Sequence, residues 1–359
     1  MKIMQVIPYF CFGGAETMCE NLTYALTAMG HQVVAVSLYN DHTPIAQRME
    51  TAGVRICYLD KKPGLDLSMV GKLKRLMLRE KPDVVHTHLN VIKYAAAAAR
   101  LAGVPRCIHT VHNVADKEAE GKIQKQINGF YFSHGFSLPV ALSPEIQRSI
   151  TAFYRLDAAA VPVIYNGIDL SRCQEKTDYC LGKPAVLTHI GRFNEQKNHE
   201  GLLRAFARIH KVCPDTRLNL LGDGELMAQM KSLTDTLGIA DSVSFLGNQS
   251  CVYPYLHQSD VFLLPSRYEG MPMTLIEAMG TGVPIVASAV GGVPDMLEDG
   301  RNALLTSSDP EQVSQAVIRL LADAALRQRL GQQARRDSVK FSAGHMAEQY
   351  ARIYAAKGV

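Results

Sequence analysis

The amino-acid sequence predicts an α/β protein built from two parallel-sheet domains. Short apolar runs alternate with helical stretches almost throughout the chain, the pattern of a parallel sheet covered on both faces. The alternation comes in two series separated by a polar stretch. With 359 residues, 47% of them hydrophobic, the chain is long enough for two full cores.

In the first series the strand-like runs are 3–8, 32–38, 83–86, 106–109 and 138–142, each followed by a helical or loop segment. A second series follows at 186–190, 217–221, 243–246, 261–264 and 285–287. The polar stretch 171–183, SRCQEKTDYCLGK, is the predicted linker. This gives two Rossmann-like domains, 1–170 and 184–343.

Composition excludes several classes. The nearly uncharged stretches are too short or too interrupted to cross a bilayer. The N-terminus runs straight into Gly13-Gly14 and reads as a first strand, so a cytoplasmic protein is expected. Eight cysteines are scattered with no C-x2-C pair, which argues against a zinc site and offers no disulfide framework. The formal net charge of +4 is too small to suggest nucleic-acid binding.

The run 260–294, DVFLLPSRYEGMPMTLIEAMGTGVPIVASAVGGVP, is the most informative. Val261 to Leu264 reads as a buried strand, Pro265 and Ser266 break it, and Pro272 fits the first turn of a helix ending at Gly280 or Gly282. Glu269 then lies in the loop facing the helix start near Gly270 and Met271, and Glu277 lies within the helix. A helix start attracts phosphate, and nearby carboxylates accept hydrogen bonds from sugar hydroxyls. By themselves the two glutamates also fit a solvated helix face or a glycosidase acid and nucleophile pair.

Other constellations point the same way. Gly13-Gly14-Ala15-Glu16 follows the first strand and opens a helix, where glycines let backbone N–H groups approach a diphosphate. It departs from the G-x-G-x-x-G nicotinamide fingerprint, and no acidic residue closes the second strand, so a dehydrogenase ranks low. In HIGRFNEQKN, Arg192 and Lys197 sit between a strand and the helix beginning at His199, a site for a doubly charged group. Gly222 and Gly224 form a turn after another strand. In His109-Thr110-Val111-His112, alternation places His109 and His112 on opposite faces. His86 and His88 share one face with no third ligand nearby and read as structural. No two aspartates stand two apart, so a D-x-D metal motif is absent.

Together, Ser266, Glu269-Gly270, Glu277-Ala278, Gly282, Pro284 and Gly291-Gly292 resemble the E-x7-E signature of family-4 retaining glycosyltransferases. The resemblance covers nearly the whole chain and is most specific between Arg192 and Pro294. It implies the GT-B fold, two Rossmann-like domains facing each other across a cleft, with the last helix, about 344–359, crossing back onto the first domain. It further implies transfer of a sugar from a UDP- or GDP-sugar to a hydroxyl acceptor, a glycan or lipid-linked intermediate of cell-surface polysaccharide synthesis, with no metal and no cofactor.

Carried over residue by residue, the resemblance places Gly13 and Gly14 over the donor phosphates. It has Arg192 and Lys197 neutralise the departing diphosphate beside Gly270, Met271 and Pro272, and lines the nucleotide pocket with Gly222 and Gly224. Glu277 would hold the ribose, Glu269 the transferred sugar, and His112 the sugar from the first domain. A nucleotide-sugar epimerase, a phosphorylase and a non-catalytic nucleotide-sugar-binding protein are the rival readings.

The segment 61–81 carries seven basic residues against two acidic ones and spaces Leu67, Val70, Leu73, Leu76 and Met77 near one helical face. Such a helix packs on a sheet or lies on an anionic bilayer, and the second option would make the protein peripheral at the inner face of the cell membrane.

Overall fold

The apolar runs fold into two six-stranded sheets in which every pairing is parallel. A computed structural model describes residues 1–11, 13–119 and 121–356. The first sheet holds β1 (Lys2–Ile7), β2 (Gln32–Ser37), β3 (Arg55–Tyr58), β4 (Val84–His88), β5 (Arg106–Val111) and β6 (Leu138–Ala141) in the order β3-β2-β1-β4-β5-β6. The second holds β7 (Ala185–Ile190), β8 (Thr216–Leu221), β9 (Val243–Gly247), β10 (Val261–Leu264), β11 (Ile285–Ser288) and β12 (Leu304–Thr306). Its order, β9-β8-β7-β10-β11-β12, is the same 3-2-1-4-5-6 winding. Both are Rossmann-like, and in each the winding reverses between the first and fourth strands. Loops leaving those two strands diverge there and open a crevice at their carboxyl ends.

The edge strands β3 and β12 were not among the expected runs. Each lies at a sheet edge with one neighbour and lacks a long buried run: Arg55 is exposed and the other three residues of β3 are half-buried, and β12 is three residues long. β4 and β5 each run two residues beyond the expected ends, which brings His88 into the sheet.

Alternation sorts each strand's side chains onto two faces. On one face of the first sheet Met4, Val6, Val36 and Val85 pack against Leu73, Leu76 and Met77. On the other, Ile7 and Ala35 pack against Cys19, Ile45 and Met49. In the second sheet Leu187, Leu218, Val261 and Leu263 pack against Leu202, Leu203 and Phe206.

The chain divides into two units, Met1–Ile168 with the chain from Phe341 onward, and Asp169–Lys340. Residues 171–183, read from the sequence as a linker, lie in the second unit. Lys176 N–H donates to Thr281 O at 2.8 Å and the Tyr179 hydroxyl to Gly282 O at 3.0 Å. The last helix, Ala343–Ala355, packs on the helix Gly14–Ala28 of the first unit. The Tyr350 hydroxyl is 2.7 Å from Thr110 Oγ1, and that of Tyr354 is 2.7 Å from His86 Nδ1. A Cβ on Gly167 would lie 2.5 Å from Ser342 O, so glycine is needed where the chain returns. Residues 357–359 of the expected final helix lie outside the described residues.

The basic segment is helical over Ser68–Glu80 only. Asp66 Oδ1 accepts from the Ser68 N–H at 3.1 Å and hydroxyl at 2.6 Å, a local turn that starts the helix late. Leu67, expected on the apolar stripe, is 72% exposed. Among the described residues no helix is long and apolar enough to cross a membrane.

Candidate active site

Loops after β7 and β10 flank the reversal point of the second sheet, and they are laced together. Asn198 adopts a left-handed backbone (φ 54°) and caps the helix His199–Val212 through Oδ1. Its Nδ2 donates to Pro265 O at 3.1 Å and Ser308 O at 3.2 Å. Gln196 O accepts from Arg267 N–H at 2.8 Å, and Gln196 Nε2 reaches Tyr268 O at 3.1 Å and Glu269 Oε2 at 3.3 Å. In the midst of these contacts Lys197 Nζ donates to Glu269 Oε1 at 2.6 Å, and the Ser266 hydroxyl donates to the same oxygen at 2.6 Å. The pair is buried, with 14% of the lysine and 4% of the glutamate side chain exposed.

Arg192 stands apart from this pair. Its side chain is 74% exposed, and its Nε lies 3.8 Å from Glu225 Oε2. The glycine turn after β8 shapes the backbone beneath it. A Cβ on Gly222 (φ 130°) would lie 2.1 Å from Gly191 O, and one on Gly224 would lie 2.5 Å from Phe193 O. Both glycines therefore allow the two turns to touch. Phe193 in turn stacks on His199 at 3.9 Å. His189 sits below, its Nδ1 2.8 Å from Leu263 O, and burial lowers its pKa to about 4.

The helix Met273–Thr281 starts at Pro272 with no side chain capping its first turn. Gly270, Met271 and Pro272 at that start are buried. The Glu269 loop lies over the Gly291-Gly292 turn. Gly292 N–H donates to Gly270 O at 3.1 Å, and a Cβ on Gly291 (φ 57°) would lie 1.7 Å from Glu269 O. Only glycine fits at 291. Glu277, 8% exposed, has its pKa raised to about 7 by burial, against the opposing pull of Arg172. The structure thus unites Lys197 with Glu269, while Arg192 and Glu277 have different neighbours.

In the first unit Gly13 is the extended residue (φ −163°) that precedes the helix Gly14–Ala28. A Cβ there would lie 2.3 Å from Glu16 Oε2. Glu16 therefore folds its own carboxylate over the helix start where a phosphate was expected, and burial raises its pKa. His109 turns inward, its Nδ1 2.9 Å from the Thr87 hydroxyl. His112 is partly exposed, its Nε2 3.1 Å from His88 Nδ1, and Glu118 Oε2 accepts from the backbone N–H groups of His112 and Asn113. Glu16, Gln196, Ser266 and His88 were not among the expected site residues. Glu16 lies inside the Gly13-Gly14 motif and Ser266 and Gln196 inside the other two, so the motifs marked the places without marking the side chains.

Residues 12–172 match the family model for Glycosyltransferase Family 4, and residues 178–337 the model for Glycosyl transferases group 1. The chain is 30% identical over 278 residues to the Escherichia coli UDP-Gal:alpha-D-GlcNAc-diphosphoundecaprenol alpha-1,3-galactosyltransferase, covering 73% of this chain and 72% of that protein. It is 32% identical over 356 residues to the Rhizobium meliloti lipopolysaccharide core biosynthesis glycosyltransferase LpsE, covering 96% of both. Anabaena Alr3699/HepE, solved in complex with UDP and glucose, superposes with a TM-score of 0.87 at 19% identity over 99% of this chain and 100% of that one. At that identity the superposition establishes a shared fold.

Proposed function

The chain belongs to the family-4 glycosyltransferases, and from that premise we propose a retaining, metal-independent transfer of a hexose from a nucleotide diphosphate sugar to a hydroxyl acceptor. The observation that carries the reading is the buried Lys197–Glu269 pair at the reversal point of the second sheet. A cation held by a carboxylate and aimed from a strand's carboxyl end is preorganised for charge that develops on a leaving diphosphate. Arg192 adds a second, exposed cation. With Lys197 and Arg192 supplying the charge and no D-x-D pair in the sequence, the diphosphate needs no divalent ion.

The remaining roles follow from chemistry and position. Glu269 offers its second oxygen to the hydroxyls of the transferred sugar, Glu277 accepts from the ribose, and the helix start donates the N–H groups of Gly270 and Met271 to phosphate, with Pro272, which has no N–H, setting the first turn. Gly222 and Gly224 shape the nucleotide side. On the first unit His112 meets the sugar, and Gly13 and Gly14 let the backbone approach the phosphates once the Glu16 carboxylate swings off the helix start. No protein nucleophile is assigned. The acceptor oxygen bonds to the anomeric carbon on the face from which the phosphate oxygen departs, and the acceptor's proton passes to that oxygen.

The names of the similar proteins favour UDP as the nucleotide, and a glycan or lipid-linked acceptor of cell-surface polysaccharide synthesis. For a lipid-linked acceptor we add a peripheral contact with the inner face of the membrane, made by Lys74 and Arg75 together with Leu65 and Leu67, which are each 72% exposed. Lys72 is engaged elsewhere, donating to Leu59 O at 2.6 Å.

Incubation with UDP- and GDP-sugars, with and without acceptor and chelator, tests the reading. Free nucleotide diphosphate, a product with the donor's anomeric configuration and activity that survives the chelator are expected. An inverted product, or complete loss restored only by manganese or magnesium, would overturn it.

A further inference from the structure

Four buried side chains, Gln5, Cys19, Thr23 and His88, stand behind His112, and the hydrogen bonds the structure places among them assign a ring proton. Gln5 Oε1 lies 3.4 Å from Cys19 Sγ and 2.8 Å from His88 Nε2, while Gln5 Nε2 lies 3.3 Å from the Thr23 hydroxyl. Burial drives the Cys19 thiol's pKa upward, so it stays protonated and can donate to Gln5 Oε1. The structure places the Gln5 carbonyl oxygen toward both Cys19 and His88, with the amide nitrogen on the Thr23 hydroxyl. That oxygen accepts from His88 as well, which puts the His88 proton on Nε2.

Neutral histidine carries one ring proton. His88 is fully buried and its pKa is pushed well below the ordinary value by burial and by the neighbouring histidines, so its Nδ1 is a bare acceptor. Its partner at 3.1 Å is His112 Nε2, which must therefore donate. Loss of hydration lowers the His112 pKa to about 4, against the opposing charge of Glu118. His112 is thus neutral near pH 7, and its proton resides on Nε2.

Resting on the reading of His112 as a sugar-contacting residue, we propose that Gln5 and His88 are positioning residues that lock His112 in its Nε2–H tautomer, so that Nδ1 meets the substrate solely as a hydrogen-bond acceptor for a hydroxyl. The hydrogen bond made by one ring nitrogen decides the state of the other. Glu118, accepting from the backbone N–H groups of His112 and Asn113, fixes the main chain, while His88 fixes the ring. The role goes beyond the two-histidine strand face, where His86 makes different contacts, 2.7 Å from the Thr110 hydroxyl and 2.7 Å from that of Tyr354.

Nitrogen-15 shifts of labelled histidine rings in the full chain test this directly. His112 should show a protonated Nε2 and a bare Nδ1 at neutral pH, and His88→Leu should turn that signature into a tautomer mixture. Turnover in His88→Leu should fall on the order of tenfold with the donor KM little changed, the scale seen when a partner that orients a functional histidine is lost. His88→Asn, which puts an acceptor near the place of Nδ1, should restore most of it, and His88→Gln should not. A protonated Nδ1 on wild-type His112, or shifts unmoved by His88→Leu, would overturn the inference. Inactive His112→Ala beside fully active His88→Leu would sink the inference alone, whereas His112→Ala with wild-type turnover would bring down the site reading and the inference with it.

Discussion

Lys197 Nζ stands 2.6 Å from Glu269 Oε1 and so joins the two loops that leave the reversal point of the second sheet. Breaking a buried ion pair leaves an uncompensated charge, at a typical cost of about 3 to 5 kcal/mol. Lys197→Met is therefore expected to lose both stability and activity. Adding Glu269→Gln should recover part of the stability and none of the turnover. Denaturant unfolding of the two single variants and the double variant reads the coupling, and strictly additive losses would show that the pair does not act as a unit.

Arg192 makes the opposite case because its side chain is 74% exposed. Arg192→Ala should leave stability within about 0.5 kcal/mol. Its rate should nevertheless fall on the order of a hundredfold, from roughly 2 to 4 kcal/mol of lost transition-state stabilisation. A change under about threefold would reduce this loop to a charged surface.

Glu277 has a pKa raised to about 7 by burial, so near that pH much of it is protonated. The ionised form accepts from ribose hydroxyls more strongly than the protonated one, so nucleotide binding should release a proton and strengthen as pH rises through about 7. Calorimetry in buffers of different ionisation enthalpy measures that release. Glu277→Gln should abolish it and weaken binding of bare nucleotide diphosphate, whereas Glu269→Gln should spare bare nucleotide and harm turnover of the sugar donor. Equal weakening by both variants would remove the division of roles.

Stability should fall on acidification. His86, His88, His112, His189 and His199 all have lowered pKa values in the fold, so each takes up a proton more readily once unfolded. Their contribution is present above the unfolded value of about 6.5 and is lost as pH drops through it. Glu16 and Glu277 have raised values and act with the opposite sign, costing stability as pH rises through the ordinary carboxylate range. The histidines outnumber them. Urea unfolding between about pH 6.5 and 4.5 should therefore show declining stability, and a flat or rising profile would contradict the neutral buried rings.

Vesicle sedimentation addresses the membrane contact. Weak binding to anionic vesicles that fades with salt is expected, each cation near the surface contributing about 1 kcal/mol. Lys74→Glu with Arg75→Glu should reduce it, and absence of binding at low salt would confine the helix Ser68–Glu80 to sheet packing. Lys72 is left unchanged because its ammonium ties the helix to Leu59 O.

What was legible in the sequence was whatever a local rule encodes. The eight central strands show as apolar runs because they are buried on both faces, and the edge strands Leu138–Ala141 and Val243–Gly247 also carry apolar runs, so ten strands, the strand-to-helix turns and the glycine motifs were placed to within about two residues by pattern alone. The edge strands Arg55–Tyr58 and Leu304–Thr306 escaped, the first because it has no buried residue and the second because it is three residues long. So did the late start of the helix at Ser68, which a single Asp66 turn decides. Motif spacing marked Lys197 and Glu269 separately, but their ion pair joins positions 72 residues apart, and the sheet order sets that meeting. Glu16 over its own helix start, and Gln5 behind His88 behind His112, depend on register and rotamer across three elements. No periodicity along one chain specifies which nitrogen faces which oxygen. Side-chain partners are chosen by packing in three dimensions, and there the tertiary structure alone decided.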